Sequence, residues 1–233
     1  PSGLLVFRGA TLVRLNDSGT VRWSKNYSVY NLSDPSKSTT FTGAAQLSDG
    51  GFAVSGIARY RRVFLCRLTK DGEVVWANQY PLEDYNDPRI FALPGGGLLL
   101  GGTTPNPTAY QTGPYKFKLL WLNDSGRVTR QLVYGDATAT ASSYAQMYTM
   151  TMTPTGPVLC QMRYSYNGCG GTVVIKLDNA GDPQWATWAG STGNGAVDLW
   201  GVDAAADGSL LLVGATTEFS EHDVKGYDGL VEK

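Results

Sequence analysis

His222 is the only histidine of the chain and stands in the run Glu218-Phe219-Ser220-Glu221-His222-Asp223. An imidazole among carboxylates could bind a metal or exchange protons. No second histidine and no cysteine pair at zinc spacing accompanies it, so no metal is expected and the run reads as a solvated acidic loop. Triads that need a histidine have this one candidate, and no Gly-x-Ser-x-Gly elbow occurs. Glu83, Asp84, Asp87 and Asp136 are carboxylates that could act in pairs on a glycosidic bond. Asp17, Asp71, Asp124 and Asp178 recur along the chain, yet the Asp-x-Asp-x-Asp-Gly series of a calcium loop is missing and turn chemistry explains them. The cluster Arg59-Tyr60-Arg61-Arg62 could hold an anion, but in a chain of net charge −1 it reads as a solvated hairpin loop.

Two further patterns bear on the compartment. Cys160 and Cys169 flank the loop Gln161–Gly168 and are expected to form a disulfide, which implies oxidising surroundings. Cys66, in the middle of an apolar strand, reads as a small buried residue. Four sequons occur, at Asn16, Asn26, Asn31 and Asn123. Those at Asn16 and Asn123 coincide with a turn, whereas Asn26 and Asn31 lie in a loop and are the glycosylation candidates. Both patterns point to an extracellular or cell-surface protein.

The elements that must position these residues are set by one hairpin. It is clearest at Val173–Trp185, where an apolar run ends at Leu177, turns through Asp178, Asn179 and Gly181, and leaves with Trp185 four residues after the glycine. The same string occurs with Leu15, Asp17, Gly19 and Trp23, and with Leu68, Asp71, Gly72 and Trp76. A fourth copy keeps Leu122, Asp124 and Gly126 but has Arg130 in place of the tryptophan. The marker leucines Leu15, Leu68, Leu122 and Leu177 are 53, 54 and 55 residues apart, which is an internal repeat.

Each repeat reads as four strands. The first lies before a Gly-rich turn: Thr42–Leu47, Ile90–Leu93, Tyr148–Met152 and Leu199–Ala204. The second is a short apolar run: Phe52–Gly56, Leu98–Gly102, Val158–Cys160 and Leu210–Gly214. Runs of this kind indicate strands buried on both faces. The third and fourth strands are the marker hairpin. Four antiparallel strands every ~54 residues predict an all-β chain of β-propeller class, since a blade buries its faces only against neighbouring blades. A sandwich lacks such a long fixed period, and the rungs of a β-helix are shorter. We expect one domain over residues 1–233, with repeats near 1–40, 41–88, 89–145, 146–197 and 198–233. The terminal blades are incomplete: three strands, three sets of four, then three more. Together with an opening Pro1 this suggests a segment of a longer chain, or a ring completed by a neighbouring subunit.

The string apolar-Lys/Arg-Leu-Asp/Asn-x-x-Gly-x-x-x-Trp, followed by a variable loop and Asp-Gly-Gly-apolar-Gly, resembles the seven-bladed-type repeats of secreted and surface-attached bacterial and archaeal propellers. It is more distantly similar to quinoprotein-type blades. That distant likeness would imply a quinone, but no adjacent cysteine pair is present and no cofactor is expected.

In the strand order of Trp-Asp repeat propellers, the short glycine turns share one face and the variable loops share the other. The variable loops carry Tyr27, Tyr30, Tyr60, Tyr80, Tyr85, Tyr110, Tyr115, Tyr134, Tyr144, Tyr164 and Tyr166 among Ser, Thr and Asn. Rigid aromatic area beside adaptable hydrogen bonding suits a recognition surface. Tyr30, Tyr60, Tyr85, Tyr110, Tyr144 and Tyr164 are its candidate contacts, while Trp23, Trp76 and Trp185 are assigned to packing between blades. The expected role is structural or binding, with a protein, a glycan or copies of the chain itself as partner. The alternative is a glycosidase or polysaccharide lyase that uses the loop carboxylates. Near-neutral charge gives no footprint for nucleic acid, and no apolar run reaches the ~18 residues of a membrane span.

Overall fold

The computed structural model describes residues 4–27, 39–58, 62–83, 88–103, 117–134, 144–164, 170–190, 197–205, 207–216 and 228–232. Among the described residues there are eighteen strands and no helix. The chain divides into two compact units, Pro1–Thr103 with Lys118–Gln131, and Thr104–Phe117 with Leu132–Lys233.

The first unit opens with the meander β1 (Leu5–Arg8), β2 (Thr11–Leu15) and β3 (Val21–Asn26). A four-stranded meander follows: β4 (Thr40–Gln46), β5 (Phe52–Ala58), β6 (Arg62–Leu68) and β7 (Val74–Glu83). The next set is β8 (Arg89–Ala92), β9 (Leu98–Thr103), β10 (Phe117–Leu122) and β11 (Val128–Tyr134), joined to β7 by the single pair Glu83↔Thr103. The unit boundary cuts β10 after Phe117 and β11 after Gln131. The second unit holds the meander β12 (Tyr144–Thr153), β13 (Gly156–Tyr164), β14 (Gly170–Leu177) and β15 (Pro183–Gly190). It ends with β16 (Val197–Ala204), β17 (Leu210–Thr216) and β18 (Asp228–Glu232). Antiparallel four-stranded sheets recurring at this period are propeller blades, and the fold is an all-β propeller fold with three-stranded first and last sheets.

The marker hairpin owes its uniformity to one turn. In all four copies the first turn residue closes onto the fifth: Asn16 N–H to the Thr20 carbonyl, Thr69 to Glu73, Asn123 to Arg127 and Asp178 to Asp182. The glycine N–H then bonds back to the first residue, which requires positive φ at Gly19, Gly72, Gly126 and Gly181 (77°, 78°, 78° and 86°). The recurring aspartates occupy three different places in this turn. Asp178 is its first residue, Asp17 and Asp124 its second, and Asp71 its third. The side chain that caps the turn is the first one. The amide oxygens of Asn16 and Asn123 accept from the backbone two and four residues on, and the Thr69 hydroxyl oxygen does the same. Turn chemistry therefore accounts for two of the four sequons.

The continuous apolar runs are explained by burial on both faces. From β5, Phe52 and Val54 pack with Phe41, Phe64 and Cys66 and with Phe7, Trp23 and Tyr27 of the preceding part of the chain. Ala53, on the opposite face, packs with Leu65, Tyr80, Ile90 and Leu100. In the second unit Val158, Cys160, Val174 and Leu199 form the core, with Leu210 and Leu212 against it. The run Leu210–Gly214 departs from expectation here. Leu211 and Val213 are 42% and 41% exposed, because only the Leu210/Leu212 face of β17 meets a covering sheet among the described residues. A fully buried Leu or Phe is worth ~1.5–3 kcal/mol, so the half-covered strand has the weaker hold.

Candidate functional site

The glycine turns are where consecutive blades grip one another. In the first unit the Trp23 indole Nε1–H donates to the Lys70 carbonyl (3.0 Å), and Trp76 donates to that of Asp124 (2.9 Å). Both acceptors are the second residue of the following marker turn. Four residues after each tryptophan a tyrosine completes the grip. The Tyr27 hydroxyl donates to the Gly72 carbonyl (2.8 Å), and Tyr80 donates to that of Gly126 (2.6 Å). In the second unit the Tyr134 hydroxyl donates likewise to the Gly181 carbonyl. Burial of the two phenols in the first unit raises their pKa, that of Tyr27 to about 12 with help from Cys66 and Glu73.

A basic residue on the third strand of a blade pairs in register with the tryptophan: Arg14 with Trp23, Arg67 with Trp76 and Lys176 with Trp185. Arg67 joins Trp76 on the same acceptor, its Nη1–H reaching the Asp124 carbonyl at 3.1 Å while Nη2 holds the Asp49 carboxylate at 2.7 Å. That guanidinium and the Gly51 N–H keep the Asp49 carboxyl below its usual range, the N–H contributing most. Asp124 also caps the neighbouring turn by accepting from the Gly97 N–H (3.0 Å). Arg14 stacks its guanidinium on Phe52 (4.7 Å to the ring centre). Tyr27, Tyr80 and Tyr134, grouped with the recognition loops in the sequence reading, are thus structural.

In the second unit the equivalent joint lies between the β12–β15 sheet and β16–β17. A groove of about 380 Å³ is lined by Thr153, Pro154, Thr155, Val158, Lys176, Trp185, Asp207, Gly208 and Leu210. Trp185 is 44% exposed and Trp188 48%. The assignment of Trp185 to inter-blade packing therefore holds for its position and not for its burial. Lys176 is buried, its ammonium donating to the Thr153 hydroxyl oxygen and the Gly156 carbonyl, each at 2.6 Å. Desolvation lowers its pKa, against a smaller opposing effect of Asp178.

Of the candidate contact tyrosines, Tyr144 and Tyr164 are brought together: the β12–β13 register sets them opposite each other at the strand ends away from the glycine turns. Tyr30, Tyr60, Tyr85 and Tyr110 lie outside the described residues, as do His222, Asp84, Asp87, Asp136 and Asn31. Glu83 closes β7 and pairs with both Arg62 and Thr103. Asn26 is exposed at the end of β3, with its Nδ2 donating to the Thr11 hydroxyl oxygen (3.2 Å). The disulfide expected between Cys160 and Cys169 is not made at Cys160, whose thiol is free and fully buried; Cys169 lies outside the described residues. Cys160 sits mid-strand opposite Val174, while the far end of the β13–β14 pairing is Tyr164↔Gly170. Burial raises the pKa of Cys66 and Cys160 to about 12 each. Among the described residues no group of three or more His, Cys, Asp or Glu is placed to hold a metal ion.

No protein-family model matches the chain, and no curated protein matches its sequence. Among solved structures it is similar to a protein of unknown function from Bacteroides caccae, at 12% identity and a TM-score of 0.51 over 99% of this chain and 73% of that one. It is also similar to BBS1N in the complex with ARL6DN, at 11% identity and a TM-score of 0.52; 92% of this chain covers 58% of that one. The β-propeller domain of Nup133 from Vanderwaltozyma polyspora matches at 9% identity and a TM-score of 0.43, over 88% of this chain and 63% of that domain. At 12% and 11% identity the first two likenesses are of fold alone, and the propeller is read from the repeated sheets of this chain.

Proposed function

We propose that the chain is a structural and binding module of an extracellular or cell-surface protein, and that its Tyr/Ser/Thr/Asn-rich loops contact a protein or a glycan. One observation carries this reading. The marker turns are engaged from the side by tryptophan and tyrosine of the preceding repeat, so their backbone groups serve cohesion. At the opposite strand ends the Thr42 and Ser55 hydroxyls donate to the Pro88 carbonyl, and Tyr144 and Tyr164 are register partners there. A rigid scaffold that uses one set of turns for cohesion leaves the variable connections to recognition.

The test is to immobilise the chain and probe it with a panel of defined oligosaccharides and with surface proteins of its source cell. The double variant Tyr144→Ala/Tyr164→Ala, with its fold checked by circular dichroism, runs in parallel. A ligand whose binding weakens about tenfold in the variant supports the loop face. Binding that is indifferent to both tyrosines overturns it. So does cleavage of an oligosaccharide that disappears in Glu83→Gln, which would make the protein an enzyme.

A further inference from the structure

We infer that Trp188 is a stacking platform for a sugar ring, which makes the ligand at the loop-side end of the β12–β15 sheet a glycan. The inference rests on the reading of this strand end as the binding side, and narrows it. Trp188 stands two residues from the end of β15 that points away from the glycine turns, and its register partner is Val173. Val173 alternates with Val174, so the indole belongs to the face opposite to the one on which Val158, Cys160 and Val174 meet Leu199.

The ring is built into the strands. It lies over Gly171, where an added Cβ would meet its Cζ2, Cη2 and Cε2 atoms at 2.3, 2.7 and 2.9 Å. Gly171 lacks the left-handed φ that calls for glycine in the marker turns, so its missing side chain serves to seat the indole. Held in this way, Trp188 is still 48% exposed. The fold does not ask for an aromatic here. The same position, three residues after the marker tryptophan or Arg130, is taken by Asn26, Gln79 and Val133 in the other repeats, and all three are exposed. A seated, half-open indole where an ordinary exposed side chain suffices is a provision for a ligand, and its fixed orientation spares the cost of ordering it on binding.

Its neighbours select the class of ligand. On β13 the register partner of Gly171 is Arg163 and that of Val173 is Gln161, so a guanidinium-bearing and an amide-bearing residue hold the next positions on the same face. A pyranose has the matching divided character. The slightly positive C–H groups of its face meet the negative face of an indole, and its hydroxyls accept from and donate to groups of the Arg and Gln kind. A protein partner asks for an apolar core within about 800 Å² on each side. Among the described residues of this sheet the other exposed large apolar side chain is Trp185, which lies at the glycine-turn end and on the opposite face. A single ring with polar neighbours suits one sugar unit. One register step further, Tyr144, Tyr164 and Gly170 form the last row of the sheet, so the platform adjoins the tyrosine pair.

The experiment screens the full 233-residue chain on an array of defined plant, animal and bacterial glycans and titrates the strongest binder by isothermal calorimetry. Trp188→Ala is expected to weaken binding about tenfold, and Trp188→Phe less. Because Trp188 is substantially exposed, both variants should keep the fold, checked by far-ultraviolet circular dichroism. Gly171→Ala retains the indole but its methyl displaces it, and should also weaken binding about tenfold. Gln79→Ala, at the corresponding position of another repeat, should bind as the parent does. Absence of glycan binding overturns the inference, as does binding indifferent to Trp188. The double variant Tyr144→Ala/Tyr164→Ala, titrated alongside, separates this failure from that of the loop-face reading. A glycan that responds to the tyrosines and not to Trp188 overturns the platform alone, and one that responds to Trp188 and not to the tyrosines supports the platform and removes the tyrosine contacts. A protein bound through the tyrosines in place of any glycan overturns the platform and leaves the loop face standing.

Discussion

Trp76 and Asp124, 48 residues apart in sequence, are joined by a single hydrogen bond from the indole Nε1 to the backbone carbonyl at 2.9 Å. The Asp124 carbonyl has a second donor in Arg67, so removing the indole N–H does not leave it orphaned. Trp76→Phe is therefore expected to cost only about 1 kcal/mol, the usual net worth of one hydrogen bond. Trp76→Ala also empties the packing over Gly126 and should cost about 3 kcal/mol. Urea midpoints at unchanged slope measure both. Equal losses for the two variants would mean that the bond, and not the ring, carries the joint.

Gly19 and Gly126 separate backbone strain from packing. Both have left-handed φ, 77° and 78°, so alanine at either position carries the same strain of ~1–2 kcal/mol. At Gly19 that is the whole effect, because no atom lies within 4 Å of the new methyl. At Gly126 the methyl would also strike Asn78 Nδ2 at 2.7 Å and the Trp76 ring at 2.8 Å. Gly126→Ala should thus lose ~1 kcal/mol or more beyond Gly19→Ala, the penalty of overpacking a filled joint. Identical losses would show that the turn, and not the contact between blades, is the sensitive element.

The marker turn was legible in the sequence because its causes are local. A positive-φ glycine, a capping Asn, Thr or Asp and a Leu–Gly–Trp spacing repeat with the turn they specify. Strand placement followed within a few residues, although β13 runs over Gly156–Tyr164 where only Val158–Cys160 was apolar enough to read. Tyr27, Tyr80 and Tyr134 were misread because each bonds a backbone carbonyl 45 to 47 residues away, and a carbonyl leaves no trace in residue type. A signal existed in their constant place four residues after Trp23, Trp76 and Arg130. The exposure of Trp185 was illegible for a different reason: it stands at the repeat position of Trp23 and Trp76, and only burial distinguishes it from them. Loop length and composition could mark where recognition residues lie, but their convergence depends on strand register, which Tyr144↔Tyr164 shows and composition does not.

Cys66 and Cys160 are expected to be silent toward thiol reagents in the native state. Both are free and buried, and burial raises each thiol from 9.0 to about 12, so almost no thiolate exists near neutral pH. With Cys169→Ser removing the third cysteine, Ellman's reagent should find no reactive thiol in the native protein and both in guanidinium. Rapid release of one equivalent without denaturant would contradict the burial of β6 or β13.

Tyr27 makes stability fall in alkali, with a direction fixed by its environment. The phenol is raised from 10.0 to about 12, first by desolvation and then by Cys66 and Glu73, and in its protonated form it donates to the Gly72 carbonyl. The folded chain holds this proton more tightly than the unfolded one. Its stabilising effect is therefore complete below pH 10 and is lost as the pH climbs toward 12. Tyr27→Phe lacks both the hydroxyl bond and the titration. It should be less stable than the parent by about 1 kcal/mol below pH 10, with the gap narrowing to nothing or reversing as pH 12 is approached. Cys66 titrates in both proteins and largely cancels from the difference. Urea unfolding of the pair across this range is the measurement. A gap that stays constant through pH 12 would show that the hydroxyl does not ionise against its partner carbonyl, and that Tyr27 holds the blade joint through its ring alone.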